Sequence, residues 1–201
     1  MSLDGQHVYV ASRDSHAVTV FRREMTTGAL TQLAGRAGCI AENGDGLTCA
    51  AGVGLREAVS LTLSLDGTNL YVASQVSNAV AVFARNRATG ELTQLSGVAG
   101  CISENGSENG RAGQCTNGHG LLGALSVAVS PDGLNAYAAS YLNHALTIFT
   151  RLGGAVVTPA NDVMIDFGPG NGIWVWQNNS TWRQLHALSA MQMATGNVDG
   201  H

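Results

Sequence analysis

One unit, repeated nearly three times, constrains this chain more than any single residue. Residues 61–97, LTLSLDGTNLYVASQVSNAVAVFARNRATGELTQLSG, are its middle copy. The anchors Ser2-Leu3-Asp4-Gly5, Ser64-Leu65-Asp66-Gly67 and Ser130-Pro131-Asp132-Gly133 lie 62 and then 66 residues apart. Each leads into Tyr-Val-Ala-Ser or a close relative, and then into Ala17-Val18-Thr19-Val20-Phe21, Ala79-Val80-Ala81-Val82-Phe83 or Ala145-Leu146-Thr147-Ile148-Phe149. Units repeated at a fixed period bury their apolar faces against one another, not alone.

Val59, Leu61 and Leu63 alternate with Ala58, Ser60, Thr62 and Ser64, the two-residue period of a strand with unlike faces. Asp66-Gly67 is a turn signal, because glycine tolerates positive φ and aspartate bonds its own local backbone. Leu70 to Ala73 and Val80 to Phe83 are β-branched and aromatic runs with a polar turn between them, and Thr89-Gly90 turns the chain into Leu92-Thr93-Gln94-Leu95. Four short antiparallel strands per repeat predict an all-β fold of β-propeller-type blades, about four sheets in an incomplete ring. The first copy begins at its turn and lacks residues matching 58–63, which predicts a truncated start and an open edge available for self-association.

Cys39 and Cys49 lie in the connection between the first and second copies, and Cys101 and Cys115 in the matching connection that follows. The shared lead-ins Ala37-Gly38-Cys39-Ile40 and Ala99-Gly100-Cys101-Ile102 show that these loops are themselves repeated. Of the three pairings open to four cysteines, one disulfide per loop is the simplest, and it implies an extracellular, periplasmic or cell-surface location. A four-thiolate metal site is the rival, though no C-x-x-C spacing supports it. The net charge of −4 argues against a nucleic-acid surface. No apolar run of about 18 residues predicts a membrane span.

Positions where the copies disagree are free to serve a site. Arg56 and Glu57 stand where the third copy has Leu122 and Gly123, and an arginine beside a carboxylate could grip an anionic ligand and polarise water. The alternative is a solvated ion pair. In the turn after the Tyr-Val-Ala-Ser strand, Arg13, Gln75 and Tyr141 are equivalent and are candidate ligand-binding residues. His16, Asn78 and His144 are also equivalent there; His16 and His144 could converge with His119 as general bases or metal ligands, or His16 and His144 could serve the turn locally. Glu42, Asp45, Glu104 and Glu108 read as a solvated acidic rim. Tyr9, Tyr71 and Tyr137 read as core, and Arg23, Arg85 and Arg151 as interblade or surface contacts.

The Ser-Pro-Asp-Gly, Tyr-Val-Ala-Ser and Ala-Val-x-Val-Phe series resembles the YVTN-type and lactonase-like seven-bladed propellers over residues 2–151. That resemblance implies a ligand site at a mouth of the central channel and, in some relatives, opening of a lactone ring. Residues 162–188, with Val163-Met164-Ile165-Asp166-Phe167-Gly168 and all three tryptophans (Trp174, Trp176, Trp182), resemble one FG-GAP or VCBS-like repeat. The expected division is therefore 1–151 and 152–201. The second resemblance implies a calcium turn, of which only Asn197 and Asp199 are present, so no cofactor and no metal site are expected. The expected role is an exported scaffold binding a small-molecule or protein ligand on its loop-bearing face. The alternatives are a lactonase-like hydrolase using Arg56, Glu57, His16, His119 and His144, and a structural segment of a larger surface protein.

Overall fold

The computed structural model describes residues 1–44 and 48–152, and beyond them the strands 155–157, 163–166, 173–177 and 181–186. The first sheet contains β1 (His7–Ser12), β2 (Ala17–Arg23), β3 (Leu30–Gln32), β4 (Cys39–Glu42) and β5 (Ala50–Gly52). The second contains β6 (Ala58–Leu63), β7 (Asn69–Ser74), β8 (Ala79–Arg85), β9 (Leu92–Gln94), β10 (Cys101–Ser103) and β11 (Thr116–Asn117). The third contains β12 (Ala124–Val129), β13 (Asn135–Ser140), β14 (Ala145–Leu152), β15 (Ala155–Val157), β16 (Val163–Asp166), β17 (Ile173–Gln177) and β18 (Thr181–His186). These are antiparallel propeller-type blades in an incomplete ring. No helix among the described residues is long and apolar enough to cross a membrane.

The second sheet shows the full pattern. β6, β7 and β8 run side by side as a meander, and the fourth strand is split. β9 pairs with Phe83, Ala84 and Arg85 at one end of β8, and β10 pairs with Ala79, Val80 and Ala81 at the other. A 3-10 turn, Gly97–Gly100, joins the two halves. The residue pattern predicts β9, whereas the segment from Cys101 reads as a loop. It is half of the outer strand, and β11 lies parallel to it. In the first sheet, β3 and β4 share β2 in the same way. In the third, β15 and β16 share β14, and β17 and β18 continue outward from β16. Among the described residues the first sheet has no counterpart of β6 and β12, and β1 lies at its edge.

The repeated Ser-x-Asp-Gly turn sits where β6 meets β7. Asp66 Oδ1 accepts from Ser64 Oγ (2.5 Å) and from the Thr68 backbone N–H (3.0 Å), while Ser64 Oγ accepts the Asn69 N–H (3.0 Å). Gly67 closes the turn at φ 69°, a left-handed conformation that side chains disfavour. These bonds hold Asp66 down at about 2 although partial burial works against ionisation; Asp4, bonded chiefly by Ser2, is likewise lowered to about 2.

Two apolar clusters fill the spaces between sheets. Tyr9, Val18, Val20 and Ile40 of the first sheet meet Leu55, Leu70, Val72, Ala81 and Phe83 of the second. Tyr71, Val80, Val82 and Ile102 meet Leu121, Ala124, Val127, Ala138 and Phe149 of the third. A recurring arginine crosses each gap. Arg85 Nε donates to Tyr9 Oη (2.6 Å), Nη1 to the Gly67 carbonyl of its own turn (3.1 Å), and Nη2 to Asp4 Oδ2 (3.4 Å). Arg151 repeats this with Tyr71 Oη (2.6 Å), the Gly133 carbonyl (2.5 Å) and Asp66 (3.7 Å). Tyr9 Oη in turn donates a hydrogen bond to the Gly90 carbonyl (2.8 Å). The recurring tyrosine is therefore more than core filling: its hydroxyl is the acceptor that locks consecutive blades.

The disulfides Cys39–Cys49 and Cys101–Cys115 each close one loop, and no described cysteine is free. Replacing Arg85 by alanine leaves the buried Gly67 carbonyl without its donor and removes the charged bonds to Tyr9 and Asp4, with an expected loss of about 3 kcal/mol in urea unfolding. Opening Cys101–Cys115 should cost a further ~3 kcal/mol, measured as a lower unfolding midpoint under reductant. Asp4 and Asp66 contribute stability that is present above about pH 4 and lost as pH falls toward 2, to be read from acid unfolding of the wild type against Asp66→Asn.

Candidate functional site

One edge of the sheets gathers the turns after β1, β7 and β13, the cystine loops and the segments leading into β6 and β12. Two repeated devices bind each of these lead-in segments to the preceding sheet. Glu42 accepts the Leu55 backbone N–H (2.7 Å) and Glu104 accepts that of Leu121 (2.5 Å). His16 Nδ1 accepts the Glu57 N–H (2.9 Å), and Asn78 Oδ1 accepts the Gly123 N–H (2.7 Å). Glu42 and Glu104 are thus structural anchors rather than a solvated rim. Burial raises Glu104 above the usual carboxylate range, against the Leu121 bond and the nearby His119 charge. Asp45 lies outside the described residues, as do Asn197 and Asp199.

His16, Asn78 and His144 all adopt left-handed backbone, at φ 51°, 50° and 50°. Asparagine and histidine share this site because each accepts a backbone N–H through a short side chain while tolerating that conformation. This is the local role, and it occupies Nδ1 of His16. The carbonyl of His119 accepts from Thr147 Oγ1 (2.9 Å) on β14. Among the described residues no three histidine, cysteine, aspartate or glutamate side chains form a group that could hold a metal ion, so the three histidines do not meet around one.

Arg56 and Glu57, adjacent in sequence, serve different clusters. Glu57 Oε2 takes Arg13 Nη2 (2.6 Å) and Nε (3.0 Å), joining the turn after β1 to the start of β6. Its backbone is left-handed at φ 54°, where the third copy has Gly123. A Cβ on Gly123 would lie 2.7 Å from the Tyr141 ring. Gln75 stands at the equivalent of Tyr141, so the second copy has room for a side chain that the third lacks. Gln75 Nε2 in turn donates to Tyr141 Oη (3.4 Å), so these two candidate ligand-binding residues touch across the second and third sheets.

Arg56 turns the other way. Its Nη1 donates to Asn109 Oδ1 (3.0 Å), and Asn109 Nδ2 donates to Glu42 Oε1 (2.7 Å). Beside this chain Glu108 is buried at 4% exposure and accepts from Ser77 Oγ (2.9 Å). Burial pushes its carboxyl up to about 7; Glu42 adds to the rise, while the Ser77 bond and the Arg56 charge oppose it. A cavity of about 190 Å³ opens here, lined by Glu42, Asn43, Val53, Glu108, Asn109, Arg111 and Gln114. The sequence places Glu108 on a solvated rim; its burial overturns that. The signal lay in Ser103-Glu104-Asn105-Gly106-Ser107-Glu108-Asn109-Gly110, a doubled tetrapeptide present once, as Glu42-Asn43-Gly44, in the first loop. The second tetrapeptide accounts for the difference between the 62- and 66-residue spacings.

No protein-family profile matches the chain, and no curated protein matches it. Among solved structures it is similar to a periplasmic gluconolactonase of Pseudomonas aeruginosa, 25% identical over 78% of this chain and 36% of that one, with a TM-score of 0.51. A putative 6-phosphogluconolactonase of Bacteroides uniformis shares the fold at 13% identity, covering 91% of this chain and 54% of that one, again with a TM-score of 0.51. The chain therefore spans little more than a third of the gluconolactonase it resembles.

A neutral Glu108 stabilises the fold below about pH 4.5, and that contribution is lost as pH rises through about 7. Thermal unfolding from pH 4.5 to 8 should therefore fall more steeply for the wild type than for Glu108→Gln. Glu57→Gly relieves left-handed strain, an expected gain of about 1 kcal/mol before the loss of the exposed Arg13 pair, checked by urea unfolding.

Proposed function

We propose that this is an exported, lactonase-like propeller protein whose loop-bearing edge binds a small polyhydroxylated ligand of the sugar-lactone class and hydrolyses its ring ester. The observation that carries this reading is Glu108, a buried carboxyl with a pKa near 7 beside a cavity, flanked by the Arg56–Asn109–Glu42 chain. A carboxyl poised near the working pH is suited to move a proton in either direction. In its ionised form Glu108 takes a proton from water as the oxygen attacks the lactone carbonyl. The Arg56 cation stabilises the charge that develops on the carbonyl oxygen. Collapse breaks the bond to the ring oxygen, which receives the proton from Glu108, leaving a hydroxy acid.

The likeness to a gluconolactonase supports the substrate class, and the YVTN-like reading of the repeats agrees with it. The two disulfides, together with the periplasmic location of that relative, support export to an oxidising compartment. Binding without turnover is the second reading. It is favoured by the span of the chain, 36% of the gluconolactonase, since catalysis in a ring draws on loops from several blades.

Acid release from glucono-lactone at pH 7 tests the reading. The wild type should exceed the uncatalysed rate, Glu108→Gln should lose about 10²–10⁴-fold, and Arg56→Ala should lose both rate and affinity. A background rate accompanied by a lactone-dependent rise in melting temperature would leave the binding role alone. Neither turnover nor a thermal shift would overturn both.

A further inference from the structure

We propose that the two outer faces of the blade array dock head to tail with a second copy of this chain, using the same arginine–tyrosine–aspartate lock that joins the blades within it. Each lock takes its arginine from one blade and its tyrosine and aspartate from the blade before. Arg85 reaches Tyr9 and Asp4; Arg151 reaches Tyr71 and Asp66. Among the described residues the series leaves one donor and one acceptor set over. Arg23 occupies the equivalent place on β2, and its Nη1 lies 3.5 Å from the Gly5 carbonyl of its own turn, the contact that Arg85 makes with Gly67 and Arg151 with Gly133. Its Nε and Nη2, the atoms that would cross to a preceding blade, have no hydrogen-bond partner among the described residues. At the other end Tyr137 and Asp132 occupy the acceptor places. Asp132 keeps its turn bonds to Ser130 and the Leu134 N–H (2.9 Å), while the Tyr137 hydroxyl has no partner among the described residues.

The apolar surroundings match as well. Val10 (41% exposed) and Leu30 (49%) on the first sheet are equivalent to Val72 and Leu92, which are buried against the preceding blade. On the third sheet Ala139, Tyr141, His144, Leu146 and Leu125 line an open hollow of about 590 Å³. Ala139 and Leu146 are equivalent to Ala73 and Val80, buried against the following blade. His144 occupies the position from which His16 and Asn78 each accept the following blade's backbone N–H. A cationic donor with an apolar surround thus faces its complement at the opposite end, and a second copy is the partner that carries both. Two copies bring three sheets each, six in all, within the roughly four to eight blades over which propellers close.

Sedimentation equilibrium of the full chain over micromolar concentrations should give a species of twice the chain mass. Arg23→Ala and Tyr137→Phe should each weaken association by about tenfold or more, the effect of losing a hydrogen bond to a charged group. Both should keep the circular dichroism of the wild type; Asp132→Asn is the substitute should either lose it. Mixing Arg23→Ala with Tyr137→Phe should recover association, because the mixed pair retains one intact lock. A monomer at all concentrations overturns the proposal, as does a dimer that neither variant weakens.

Discussion

Arg85 and Arg151 each keep one guanidinium nitrogen on a turn of their own sheet and give the rest to the tyrosine and aspartate of the sheet before. A cation this deeply placed is tolerable only when its donors are met, and here hydroxyl, carbonyl and carboxylate meet them. The geometry carries information beyond energy. Five fixed donors on a planar group set the angle and spacing between blades. The apolar clusters supply most of the driving force, yet a greasy interface alone permits sliding, and the arginine does not.

Everything at the loop-bearing edge hangs from the blade spacing so established. His16, Asn78, Glu42 and Glu104 reach across the gap to backbone N–H groups because the next blade begins within hydrogen-bond distance. The same proximity brings the second cystine loop over the start of β6, where Glu108 is closed off from water against Ser77. Glu108 owes its pKa to that closure, and the chemistry proposed for this edge follows from it. The likeness to a gluconolactonase adds a substrate class, while the site stands on its own residues.

The repeat made the blades legible. Alternation, Asp-Gly turns and the Ala-Val-x-Val-Phe runs located β6, β7 and β8 nearly to the residue, since strand periodicity is written locally in side chains. β9 was legible from the Thr89-Gly90 turn that precedes it, whereas β10, three residues inside a cystine loop with no such turn signal, was not. Arg56 and Glu57 were legible as a difference between copies, but not their divergence: which neighbour each side chain meets depends on loops brought in from residue 13 and residue 109. The doubled Ser-Glu-Asn-Gly tetrapeptide marks Glu108 as an addition to the second loop, but its burial depends on Ser77 and the neighbouring loops, which no local pattern records.

The chain by itself determined the unit, its strands, the pairing of its cysteines within each repeated loop, and the recurring tyrosine and arginine. Those features depend on near neighbours or on repetition, which one dimension can show. Only the tertiary structure decided that the tyrosine hydroxyl and arginine form a lock between blades, that the turn residue His16 holds a backbone N–H of the next blade, and that one carboxylate of the acidic loops is buried. The physical reason is that solvation and hydrogen-bond partnership belong to the space between blades, and that space exists only once they have packed.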